Sequence, residues 1–255
     1  MNSEMDKKAR LYFRDQLREA RATAYQDAEA SQQIFFVLEH LGIFLQKKIE
    51  GLHGYKKSIE KVASRSPLFN DFPQELREWH IPFANLYDLV RDGRNDALHV
   101  GAYARHLTSH AVQLSLILED ALMFESNRVS DFMVRDPVQA FEWQPLSFVR
   151  QQMLVNSFSF LPMFLQEDST WYLLSDYSLA QYLREPSKTE RKKRLAITVG
   201  SSIQSKAIKI DKATCIIAKT AINEAMEQFD GKPILVVEMN DQKKLIGIIT
   251  AFDVL

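Results

Sequence analysis

Hydrophobic positions recur every three or four residues through the first half of the chain, and in short apolar runs through the second; the change falls at Val129. The first spacing places apolar side chains on one side of a helix, whereas short Val/Ile/Leu runs bounded by polar residues suit strands. From Met5 to Tyr25, Leu11, Phe13, Leu17 and Ala20 are interspersed with charged residues, with no proline or glycine between them. The next stripe is Phe35, Leu38, Leu41, Leu45, Ile49 and Leu52, with Gly51 and Gly54 at its end. Asn70 and Asp71 ahead of Pro73 predict a helix start, and Pro82 predicts another for a short helix over Phe83 to Val90. A polar break is expected at Arg91, Asp92 and Gly93, before a long helix with Leu107, Ala111, Leu114, Leu118 and Ala121 on one side. An antiparallel bundle of four or five helices over residues 1–127 is the fold these patterns predict.

After Val129 the order short strand, helix, strand, strand, helix occurs twice. The first pass is VSDFMVRDPV, a helix from Leu146 to Val155, the strands SFSFLPMF and TWYLLS, and a polar helix from Leu179 to Arg184. A charged linker, Lys188 to Arg194, separates it from a strand at Ile208 to Ile210, a helix from Ala221 to Phe229, and the strands KPILVVEM and KLIGIIT. A repeat of this kind implies two similar units packed on each other, since either alone would leave a sheet face bare. The fold class expected is therefore α+β with two domains, at residues 1–127 and 129–255, the second made of two β-α-β-β-α units (129–185 and 207–255) joined by a linker at 186–206.

The repeat resembles the CBS domain pair, or Bateman module. The residues that carry the likeness are VSDFMVRDPV, LPMF and PILVV, and above all GIITAFDVL, which follows the family's G-I-I-T-x-x-D run in full. The resemblance implies clefts for adenosine-containing ligands such as AMP, ATP or S-adenosylmethionine. It assigns Asp253 to the ribose hydroxyls, Thr250 and the following backbone N–H groups to a phosphate, and apolar residues near Ile210 and Pro233 to the adenine. The first motif has Ser175 and Ser178 where the second has Thr250 and Asp253, so its cleft, with Ser175 as its remaining polar residue, is expected to be weaker or empty. Leu255 follows Asp253 so closely that the second motif's final helix is expected to be missing and Asp253 to fray. The competing reading is that both clefts are vestigial and the module only dimerises.

Bulk composition narrows the partners. With 46% hydrophobic and 25% charged residues the chain has the make-up of a globular protein. Its longest suggestive apolar run, Ile34 to Leu38, is far too short for a membrane span, and the polar opening Met1 to Arg10 does not look like a signal peptide. Cys215 has no intramolecular partner, which fits a reducing compartment, and a cytoplasmic location is expected. A formal net charge of −1 argues against an extended nucleic-acid surface.

One string in the helical half has chemistry of its own: RNDALHVGAYARHL, Arg94 to Leu107. Arg94, Asn95 and His99 match the R-N-x-x-x-H signature and so resemble the HEPN superfamily, helical bundles that include metal-independent ribonucleases. The resemblance implies His99 as general acid or base, Arg94 as the phosphate holder and Asn95 as an orienting group, at an interface between two protomers. The same Arg-to-His spacing recurs at Arg105 and His110. Two other readings stay open: a helix cap or surface ion pair, and a metal on His99, His106 and His110, which fall near one helical face. No metal is expected, because no carboxylate or cysteine partner lies at ligand spacing. The sequence thus points to a homodimeric adenine-nucleotide sensor that regulates RNA cleavage by its helical domain, or alternatively to a non-enzymatic adaptor whose bundle binds a partner protein.

Overall fold

The computed structural model describes residues 5–26, 31–76, 78–97, 104–184 and 187–254, with the backbone alone at 95–97 and 104–105. The chain divides into two compact units, Met1–Glu125 and Ser126–Leu255. Among the described residues no helix is long and apolar enough to cross a membrane.

The first unit holds six described helices, α1 (Lys7–Gln26), α2 (Gln32–Gln46), α3 (Gly51–Ala63), α4 (Pro67–Glu75), α5 (Phe83–Ala97) and α6 (Ala104–Met123), rather than four or five. Several predicted boundaries move. The stripe from Phe35 to Leu52 spans two helices, because α2 stops at Gln46 with Lys47 in the left-handed region (φ 59°), leaving Ile49 83% exposed. Helix α4 starts before Asn70: Ser66 Oγ accepts from Leu68 N at 3.1 Å, Pro67 occupies the first turn, and Pro73 lies inside the helix. No break occurs at Arg91–Gly93, where α5 runs through; the ion pair of Arg91 with Asp88 one turn back (2.9 Å) supports that polar stretch as helix. The predicted stripe of α6 is buried in full, Leu107, Ala111, Leu114, Leu118 and Ala121 all being at most 4% exposed.

Partners along α1 descend along α6, so the two helices are antiparallel. Arg10 meets Glu125 at 3.2 Å, Arg14 Nη1 meets Met123 Sδ at 3.3 Å, and Arg21 grips Glu119 through two bonds of 2.8 and 2.9 Å. Helices α2 and α3 approach closely at Gly42, where a Cβ would sit 2.2 Å from the ring of buried Tyr55. Tyr55 is fixed in turn: its hydroxyl accepts from Glu50 N at 2.7 Å and donates to Lys48 O at 3.2 Å.

The second unit is mixed α and β. Its first pass is α7 (Val129–Phe132), β1 (Val134–Arg135), α8 (Leu146–Asn156), β2 (Phe160–Leu165), β3 (Thr170–Ser175) and α9 (Asp176–Tyr182). After α10 (Lys188–Ala196), the second pass is α11 (Val199–Gln204), β4 (Asp211–Lys212), β5 (Cys215–Ile217), α12 (Ile222–Met226), β6 (Ile234–Glu238), β7 (Asp241–Ile249) and a 3-10 turn over Ala251–Asp253. Four expectations are corrected. The opening VSDF is a helical turn, the second leading strand is Asp211–Lys212 rather than Ile208 to Ile210, α12 is shorter than Ala221 to Phe229, and the charged linker is helical. Ser187 caps α10 by accepting from Glu190 N at 3.4 Å, and Glu190 lies near Arg194 one turn on (3.7 Å).

Two sheets form, with orders β1-β7-β6-β5 and β2-β3-β4. Each leading strand joins the other repeat's sheet: Val134 pairs with Ile248 and Arg135 with Gly247, while Asp211 pairs with Leu173 and Lys212 with Tyr172. The helix starts cross over in the same way, through the bridges Arg128–Ala221 and Pro145–Thr198. This reciprocal exchange binds the repeats into one unit.

Candidate functional site

In the second unit a cavity of about 610 Å3 opens where β1, the start of β2, the segment leading into β6 and the end of β7 meet. Its apolar wall includes Val134, Pro162 and Pro233 with Phe158, Phe229 and Phe252. Its charged groups, among the described residues, are Lys232 and Asp253. Gly247 brings β1 to this place, since a Cβ there would stand 2.6 Å from Met133 Sδ and 3.1 Å from Val134 O.

Thr250 and Asp253 share the cavity wall and are hydrogen-bonded to each other. Asp253 Oδ2 accepts from both Thr250 N and Thr250 Oγ1, each at 2.8 Å, closing the turn that follows β7. The Thr250 hydroxyl proton therefore points at the Asp253 carboxylate, and a 3-10 turn spans Ala251–Asp253. Asp253 is half-buried and Phe252, beside it, is 87% exposed.

The structure separates the other assigned residues. Pro233 lines the cavity. Ile210 does not: it precedes β4 and packs against the core formed by β2, β3, α8 and α9, because the leading strands are exchanged. Val134 occupies the corresponding place beside Thr250. Ser175 is a buried cap; its Oγ accepts from Ser178 N at 3.1 Å and donates to Ser178 Oγ at 2.9 Å. Sequence reading missed Val134 and Lys232, although the first lies within VSDFMVRDPV and the second directly precedes PILVV. Lys232 Nζ lies 3.4 Å from Asp211 Oδ1.

In the helical unit, Arg94 is ion-paired with Glu39 of α2. His99 and the Asn95 side chain lie outside the described residues. Burial and then the neighbouring His106 hold the His110 imidazole below its ordinary value. Among the described residues no group of three His, Cys, Asp or Glu side chains is placed to hold a metal.

No family model matches the chain, and no curated protein matches it. Solved structures of CBS-domain proteins do align, over its C-terminal half. A CBS domain-containing protein of unknown function from Bacillus anthracis is 15% identical and covers 51% of this chain and 91% of its own, with a TM-score of 0.41. CBSX2 from Arabidopsis thaliana is 19% identical, covering 50% and 90%, with a TM-score of 0.37; CBSX2 is also known in complex with AMP. CbpB, solved in complex with c-di-AMP, is 17% identical, covering 52% and 84%, with a TM-score of 0.38.

Proposed function

We propose that the C-terminal unit senses an adenine nucleotide, such as AMP or ATP, in the cavity that Asp253 and Lys232 share. The observation that carries the reading is the Asp253 carboxylate, oriented by Thr250, on the wall of a cavity otherwise built largely from proline, phenylalanine and aliphatic side chains. A volume of about 610 Å3 falls in the range of small-molecule sites. The adenine stacks among Pro233, Phe158 and Phe229, the ribose hydroxyls donate to Asp253, and the phosphate lies toward Lys232. Asp253→Asn tests this, because it keeps an acceptor for Thr250 while removing the charge. Calorimetry on this variant should show AMP binding weakened by about 1.5–3 kcal/mol, the range for hydrogen bonds to a charged group.

The helical unit is best read as a surface for a partner protein. Arg94 already neutralises Glu39, which counts against its serving as the phosphate holder of a ribonuclease. The chain is further proposed to act as a homodimer, supported by Phe148, Leu154 and Val155, all exposed on α8, and by the stacked Phe141–Trp143 rings (6.2 Å, 17°) nearby in sequence. Light scattering at micromolar concentration should give two chain masses, and Leu154→Lys should shift it toward one.

A further inference from the structure

Lys232 belongs to two environments. It lines the cavity, yet its ammonium lies 3.4 Å from Asp211, with the two side chains 35% and 30% exposed. Asp211 opens β4 and pairs with Leu173, in the sheet of the opposite repeat. Its positional counterpart is Val134, which pairs with Ile248 and lines the cavity. The counterpart of Lys232 is Ser159, since Leu161 faces Leu174 in one hairpin as Ile234 faces Ile249 in the other. The exchanged repeats therefore do not duplicate this ion pair; it connects the cavity to the opposite sheet at one place.

We propose that the Asp211–Lys232 pair determines which charge of adenosine ligand the cavity accepts. The inference rests on the nucleotide reading above and adds a specificity-determining contact to it. With a nucleoside bound, Asp211 keeps the ammonium and the cavity presents no cation. A nucleotide's phosphate competes for the same ammonium with more than one negative charge and several acceptor oxygens. A partly exposed pair at this separation is weak and screened, so it yields to that competitor. Nucleotide binding then releases Asp211 on β4, and this difference between nucleotide and nucleoside reaches the β2-β3-β4 sheet.

The test is to measure AMP and adenosine binding by calorimetry on the full chain and on two variants whose melting temperatures match wild type. Asp211→Asn removes the competitor and should tighten AMP binding about threefold, the scale of a weak surface pair. Lys232→Met should weaken AMP binding about tenfold, the scale of a charge-assisted hydrogen bond. Adenosine affinity should change less than about twofold in either, because it carries no phosphate for these charges to meet. If wild type binds both ligands but neither variant alters the AMP-to-adenosine ratio, the ion-pair role is wrong and the nucleotide reading stands. If wild type binds neither, the nucleotide reading falls and this inference with it.

Discussion

Val134 is the antiparallel partner of Ile248, a residue of the other repeat, and both line the same cavity. The site is thereby built from two distant parts of the chain, with β1 supplying one wall and the end of β7 supplying another. Whatever loosens β1 from β7 should reach the ligand.

Gly247 tests that dependence. A Cβ at this position would press on Met133 Sδ, itself buried, and on the Val134 carbonyl at 3.1 Å. Gly247→Val should cost about 1–3 kcal/mol, the usual scale of overpacking. Chemical denaturation should register the loss, and AMP binding should weaken with it. A variant as stable as wild type would show that β1 is not tightly seated.

The pattern of apolar positions made much of this fold legible. The α6 stripe and the hairpins of both repeats could be read because each is a local signal. Exchange of the leading strands could not, since the pairing of Val134 with Ile248 and of Asp211 with Leu173 is non-local and leaves no periodic trace. That is why the sequence points Ile210 toward a cavity whose wall Val134 occupies. Helix α10 failed for another reason: its charge run resembles a solvated linker, while the signal of order is the Ser187–Glu190 cap. The Arg94 pairing with Glu39 likewise depends on how α5 packs beside α2, which motif spacing does not encode.

His110 predicts a pH dependence. Its folded-state value lies below the ordinary one, mainly through burial, so the unfolded chain takes up the proton first as pH falls. Stability is unaffected well above the ordinary histidine value of about 6.5 and declines as pH drops below it. Thermal melts of wild type and His110→Gln between neutral and mildly acidic pH should show a shallower decline in the variant. Parallel curves would assign the acid sensitivity to other groups.

Arg94 separates the two readings of the helical unit. If it serves Glu39, purified protein leaves single-stranded RNA intact in EDTA, and Arg94→Ala costs only the pair's about 0.2–1 kcal/mol of stability. Cleavage that leaves cyclic phosphate ends and disappears in Arg94→Ala and His99→Ala would instead establish the ribonuclease reading.

The most direct test of the central claim is calorimetric titration of the full chain with AMP, repeated on Asp253→Asn. The account predicts saturable binding with no more than one ligand per chain, since Ser175 and Ser178 give the first repeat no carboxylate at the matching place. It also predicts a loss of about ten- to a hundredfold in the variant, as expected when a hydrogen bond to a charged group is lost. Two equal sites per chain, or unchanged affinity in Asp253→Asn, would contradict it.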